Sequence, residues 1–206
     1  MKFFDFEQKM ANYPVFSARE LKTILFDEKN ILVQVAFWLK KGYIKKVKKG
    51  LYVLTSAIDR IDPVVLADRI YSPSYLSLEY ALNYYGIIPD IPGTYTSVST
   101  RKTENFSNKF GNYSYQKIKK ELFTGYEIIQ DGVLSYGIAS PEKALFDYLY
   151  LNKNKFVAEF NFWKELRIDE EFKFRKKEVE NYKKLFQDKK VNLLVDSLLK
   201  YQKDVR

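Results

Sequence analysis

The 206-residue chain contains neither cysteine nor histidine. It therefore lacks the usual ligands for zinc, copper, haem and iron-sulfur clusters. Thiol catalysis and Ser-His-Asp catalysis are excluded with them. What remains is chemistry by carboxylate, lysine, tyrosine or an oxygen-bound magnesium ion, or no chemistry at all. Absence of cysteine also fits a reducing compartment. Long uncharged runs are missing too: none exceeds ten residues, Asn30 to Leu39 being one of that length, whereas a membrane span needs about 18 apolar residues. Asp5 and Glu7 stand where a secretory signal would continue its apolar stretch, so no membrane partner and a cytoplasmic location are expected. The eight glycines are scattered, with no G-x-G-x-x-G and no G-K-[ST], which argues against a standard nucleotide-binding loop. There is no internal repeat.

What is present is a chain 46% hydrophobic and 17% aromatic, rich enough to bury a core in one or two domains and too apolar to be disordered. Its formal charge is +9. Before Ser56 there are 11 basic residues against five acidic, and after it 24 against 21. Two thirds of the net charge thus falls in about a quarter of the chain. Between Lys29 and Gly50 lie seven lysines and no acid. Such a run is either a solvated face or a nucleic-acid surface, and charge alone does not choose between them.

Local patterns supply the choice. A helix is expected around Phe3 to Asn12. Ser17-Ala18-Arg19-Glu20 has capping-box spacing, with Phe16 and Leu21 placed for a hydrophobic staple, and predicts a short helix to about Leu25. A turn at Phe26-Asp27-Glu28-Lys29 comes next. Asn30 is the expected cap of a helix whose core stripe is Ile31, Leu32, Val35, Trp38 and Leu39 and which Gly42 ends. Tyr43 to Val47 and Leu51 to Leu54 read as strands joined by Lys48-Lys49-Gly50, a hairpin with a basic tip. Helix, helix, turn, helix and hairpin in that order describe a winged helix-turn-helix over residues 1–56.

In that geometry the lysine run falls on the end of the recognition helix and on the wing. Asn30 and Gln34 are placed to read adenine edges, and Val33 and Phe37 to meet thymine methyls. Lys40, Lys41, Lys45, Lys46, Lys48 and Lys49 become phosphate contacts that set affinity and register, with Ser17 and Arg19 adding a backbone contact. The alternatives stay open: Val33 and Phe37 also suit a protein-docking or dimer patch, and Gln34 also suits a solvated surface.

Residues 57–206 read as an α+β domain with a helical tail from about residue 156. Thr55 to Ile61 is expected as a linker. Asp62 caps and Pro63 opens a helix to about Ile70. Tyr75-Leu76-Ser77 is extended, and Leu78 to Tyr85 forms a helix that Gly86 stops. Strands are expected at Tyr95 to Ser99 and Asn112 to Ile118, and a hairpin at Tyr126 to Ile138 around Asp131-Gly132. Ser140 caps and Pro141 starts another helix. Val191, Leu194, Val195, Leu198 and Leu199 have core spacing in the tail. Glu79, Asp90, Glu142 and Asp147 are the carboxylates a magnesium-dependent nuclease would use. The plainer reading places Glu142 in a favourable first helical turn and pairs Asp147 with Lys143 four residues earlier. No catalytic residue, metal ligand or cofactor is expected.

Lys49-Gly50-Leu51-Tyr52, Asp62-Pro63, Ser74 to Leu82 (SYLSLEYAL), Thr96 to Thr103 (TSVSTRKT) and Ser140 to Asp147 (SPEKALFD), in this order and spacing, resemble the AbiEi antitoxins of abortive-infection systems. The resemblance covers roughly residues 15 to 150. It implies a non-enzymatic transcriptional autorepressor that binds inverted repeats in double-stranded operator DNA; two copies would read a two-fold operator, pairing on the DNA or beforehand, and the oligomeric state stays open. It further implies a type IV antitoxin countering a nucleotidyltransferase-like toxin without an obligatory stable complex. Carried onto this chain, DNA contact falls on Asn30 to Lys49. Tyr75, Ser77, Glu79, Arg101, Lys102, Ser140, Glu142 and Lys143 become the antitoxin surface, although Ser140 and Glu142 also serve simply as a helix start.

Overall fold

Helix α1 (Phe3–Lys9) and the short strand β1 (Val15–Ser17) lead into α2 (Ala18–Ile24), whose start is the capping box that the spacing of Ser17 and Glu20 predicts. Ser17 Oγ accepts from the Glu20 amide at 3.1 Å and a Glu20 carboxylate oxygen accepts from the Ser17 amide at 2.6 Å. Two otherwise orphaned donors are satisfied together, a cap contribution of about 1 kcal/mol. Phe16 and Leu21 are both buried. The computed structural model describes residues 1–26 and 30–205, so most of the turn expected at Phe26 to Lys29 lies outside the described residues.

Helix α3 (Ile31–Lys41) buries Ile31, Val35 and Trp38 and ends on Gly42 in the left-handed conformation. Two expectations are corrected here. Asn30 is itself left-handed, at φ 64, and makes no side-chain cap; its carbonyl, not its side chain, receives the amides of Val33 and Gln34. Leu32 is exposed rather than in the core, because the stripe at 31, 35 and 38 already fills the inward face.

Strands β2 (Ile44–Lys48) and β3 (Leu51–Leu54) form the hairpin, and β1 adds on the far side of β3 to give a sheet in the order β1-β3-β2. Strand alternation assigns the two faces. Phe16, Ile44 and Leu54 pack with Phe6, Leu21 and Trp38 in a small core under the helices. Val15, Val47, Leu51 and Val53 point the other way, into the large core of the rest of the chain. The sheet is therefore covered on both sides, and the N-terminal 56 residues share a core with the C-terminal part of the chain. Nor is the segment after Leu54 a free linker. Thr55–Arg60 is a 3-10 helix with Ala57 buried, and the Ser56 hydroxyl donates to Glu7 of α1.

Asp62 caps a 3-10 turn, Pro63–Val65, that runs into α4 (Leu66–Ile70). Beyond it lies a mixed six-stranded sheet in the order β6-β7-β5-β4-β9-β8. Its strands are β4 (Ser74–Leu76), β5 (Tyr95–Ser99), β6 (Glu104–Asn108), β7 (Gly111–Lys117), β8 (Tyr126–Asp131) and β9 (Leu134–Ala139), with α5 (Leu78–Tyr84) between β4 and β5. Strand β6 escapes the sequence pattern because Glu104 to Asn108 is polar and lies on a sheet edge. The β8–β9 hairpin pairs Asp131 with Leu134, so its turn is Gly132-Val133 rather than Asp131-Gly132. Helix α6 (Pro141–Asn152) is buried at the centre, α8 (Lys176–Phe186) and α9 (Lys189–Val205) pack against it, and α7 (Phe160–Glu165) packs on α9. The result is mixed α and β with a helical C-terminal segment, and among the described residues no helix is long and apolar enough to cross a membrane.

Candidate nucleic-acid interface

On the outward face of α3, Val33 and Phe37 are 69% and 53% exposed. Asn30, Lys40 and Lys41 are exposed beside them, and the Lys41 ammonium lies 5.7 Å from the centre of the Phe37 ring. Lys46 and Lys49 are exposed on the hairpin, and Arg19 on α2. Lys45 is half-buried, with its ammonium 3.6 Å from where a Cβ on Gly42 would stand.

Three expected DNA contacts are placed otherwise. Lys48 donates to the Ile70 carbonyl and lies 5.9 Å from the Phe106 ring, both beyond the N-terminal 56 residues. Its partial burial, with Arg101 nearby, holds its pKa below the ordinary lysine value. It is committed to the junction. Gln34 is half-buried. With its amide in the orientation that satisfies both neighbours, it donates to the Met1 carbonyl at 3.1 Å and accepts from the Met1 ammonium at 3.0 Å. The Ser17 hydroxyl is engaged by its own cap. Nor do the cations share one face of the hairpin. Lys45 pairs with Val53 and Lys46 with Tyr52, so alternation sends them to opposite sides.

Toward the large sheet the positive surface continues through residues that charge counting passes over. Lys109, in the β6–β7 turn, has its pKa lowered by burial and by the charge of Lys45. The turn is fixed to the hairpin by Asn108 Nδ2, which donates to the Val47 carbonyl at 3.2 Å. Arg101 stacks 4.4 Å above Tyr71, which meets Phe106 at 5.7 Å. A cation therefore stands at each end of an aromatic pair, Lys48 on Phe106 and Arg101 on Tyr71. No sequence signal marks Lys109, since it becomes basic surface only when β6–β7 folds beside β2.

The expected antitoxin surface divides. Arg101 and Lys102 are exposed, Lys102 paired with Glu104 at 3.2 Å, and Glu79 is half-buried beside an open, polar groove. Tyr75, Ser77, Ser140, Glu142 and Lys143 are buried and cannot meet a partner. The correction has a physical cause: these residues satisfy one another. Lys143 and Asp147, both wholly buried, form an ion pair one helical turn apart. The Lys143 ammonium also donates to Tyr75 Oη at 2.7 Å, and Asp147 accepts from Tyr75 at 3.0 Å and Ser77 at 2.9 Å. Burial pushes the Lys143 pKa down and the Asp147 pKa up, and the pair with its two hydroxyl donors opposes both displacements. Glu142, though 1% exposed, accepts three bonds from Arg175, at 2.8, 2.9 and 3.2 Å. Burial raises its pKa, but the Arg175 contacts outweigh this and hold the carboxyl below its ordinary value.

Of Thr96 to Thr103, only the first residues turn inward. Thr96 Oγ1 donates to the Ser77 carbonyl at 2.8 Å and Ser99 Oγ to the Pro73 carbonyl at 2.6 Å. Gly125 seals the cluster at φ 75, where a Cβ would stand 2.2 Å from the Tyr182 hydroxyl. Parts of three segments that suggested a family, at Tyr75 and Ser77, at Thr96, and at Lys143 and Asp147, thus meet in a buried polar network, which accounts for those residue types without a ligand. The chain matches no protein-family model and no curated protein.

The four carboxylates of the nuclease alternative do not converge. Asp147 is held by Lys143, Glu142 by Arg175 and Asp90 by Arg167. Among the described residues no group of three or more acids suited to a metal ion is present.

Proposed function

We propose that the protein binds double-stranded DNA through α3 and the β2–β3 hairpin, acting as a winged helix-turn-helix repressor of its own operator and as the antitoxin of a type IV toxin-antitoxin pair. The observation that carries the reading is the outward face of α3. Asn30, Val33 and Phe37 lie along it with Lys40 and Lys41 at its end, and Lys46 and Lys49 lie on the adjoining hairpin. Base-reading groups beside a cluster of phosphate-neutralising cations are what major-groove recognition requires. Lys45, Lys109 and Arg101 extend the cationic field, so a duplex would rest on both halves of the chain. The antitoxin role rests on the resemblance of the motif segments, and its surface is reduced to Arg101, Lys102 and Glu79. A nucleotidyltransferase-like toxin is the functional partner, and no enzymatic activity is assigned.

Fluorescence titration of the upstream DNA over a range of salt tests the reading. Replacing Lys46 and Lys49 together by alanine should flatten the slope of log affinity against log salt by up to about 1.8, at about 0.9 per lost phosphate contact. An unaltered slope removes the hairpin from the interface. A second reading draws on the apolar part of the same face: Leu32, Val33 and Phe37 also suit docking of a protein. That reading requires affinity for DNA to be absent and Phe37→Ala to abolish association with the partner.

A further inference from the structure

The C-terminal helices border a half-open cavity that the DNA reading does not use. Helices α8 and α9 are joined through Gln187 and Asp188 and run back against each other. Lys183 of α8 meets Asp196 of α9 at 2.6 Å, and Glu180 lies 3.0 Å from the same ammonium. This cross-tie closes the end nearer the turn. Away from the turn, the two helices and the strap leading into α8 surround about 670 Å³, within the usual range of small-molecule sites, roughly 300–1,000 Å³.

The cavity has two chemically distinct parts. Its floor is Phe172, Phe174, Val179 and Leu199, with Val179 and Phe174 buried and the other two half-buried. The two phenylalanine rings lie 4.8 Å apart. Gln202 holds the strap in place, donating to the carbonyls of Asp169 at 2.8 Å and Phe172 at 3.2 Å. Its rim is Lys173, Lys176, Lys200 and Lys203, all exposed and, among the described residues, in no ion pair. The two acids lining the cavity, Glu180 and Asp196, are both taken by Lys183.

An apolar floor beside unpaired ammonium groups sets the chemistry of the occupant. A partner helix would need a longer run of apolar anchors than these four, and a nucleic-acid backbone would leave the phenylalanine floor unused. We propose that this cavity binds a small amphipathic anion, a free apolar chain ending in a carboxylate. The chain lies along Phe172, Phe174, Val179 and Leu199, and the head sits among the rim lysines. The proposal is independent of the DNA reading.

Calorimetric titration of the full chain with monomeric dodecanoate tests it. Saturable one-to-one binding is expected, weakened by salt. Dodecanol, which lacks the charge, and acetate, which lacks the chain, should each bind at least about tenfold more weakly. Reversing the exposed pair in Lys200→Glu/Lys203→Glu should weaken dodecanoate by about tenfold or more. Leu199→Trp fills the floor with a larger apolar group and should remove binding while preserving the helices by circular dichroism. The proposal is overturned if either variant binds dodecanoate as the parent does, or if dodecanol binds as tightly as dodecanoate. It is equally overturned if anionic phosphatidylglycerol vesicles or a DNA duplex bind at these lysines while dodecanoate does not.

Discussion

Asp68 offers a measurable consequence of how the two halves of the chain meet. It lies on α4 beside the cleft between α2 and the β8–β9 hairpin, with one carboxylate oxygen buried and unpartnered. Its neighbour Arg69 is committed elsewhere, to Glu20 at 2.7 Å and the Val15 carbonyl at 3.2 Å. Burial therefore dominates over the attraction of Arg69 and raises the Asp68 pKa from 3.8 to about 6. At about 1.4 kcal/mol per tenfold change in proton affinity, that interval corresponds to about 3 kcal/mol. The sign depends on which state releases its proton first. As pH rises from about 4 to about 6 the unfolded chain ionises Asp68 while the folded chain retains the proton, so the folded state loses stability across that window and no more above it. Asp68→Asn keeps the shape and removes the titration. Urea unfolding followed by the fluorescence of Trp38 and Trp163 should show parent and variant close together near pH 3.5. By pH 7.5 the variant should lead by up to about 3 kcal/mol. A gap that does not change with pH, or a parent that gains on the variant above pH 6, would refute the argument, the second by showing an ionised and well-paired Asp68.

Lys143→Met should destabilise the protein by about 3–5 kcal/mol, because it strands Asp147 without its counter-charge, and the double change with Asp147→Leu should recover part of the loss; urea midpoints read both. Gly125→Ala should lower the melting temperature by more than a surface Gly→Ala change does, since the new Cβ meets Tyr182 on a backbone already at positive φ. Ser17→Ala should cost about 1 kcal/mol in chemical unfolding through loss of the cap. Lys48→Ala should reduce stability while leaving the salt slope of DNA affinity as it was, the reverse of the expectation for Lys49→Ala, and parallel unfolding and binding titrations separate the two.

Elements governed by neighbours in sequence are readable from the chain alone. The Ser17–Glu20 box, the left-handed Gly42 and Gly50, the strands at Tyr95–Ser99 and Leu51–Leu54, and the Ser140 cap with Pro141 all form as their spacing predicts, because each depends on contacts within a few residues. Exposure on α3 is largely readable for the same reason, since 3.6-residue periodicity separates Ile31, Val35 and Trp38 from Val33 and Phe37.

Tertiary structure decides which polar groups are free. Lys48 and Lys49 are adjacent in sequence, yet the bulge between Lys46 and Lys48 and the packing of the hairpin on Ile70 tie one ammonium to a backbone carbonyl, half-buried, and leave the other in solvent. Tyr75 and Lys143 are 68 residues apart, and nothing local says that each is the other's partner. The same holds for Lys45 beside Lys109 and for the strap that floors the α8–α9 cavity. Local spacing determines where helices and turns begin because its energies are short-ranged. Whether a charge is a surface or a core group depends on what long-range packing sets against it, and one sequence window does not contain that information.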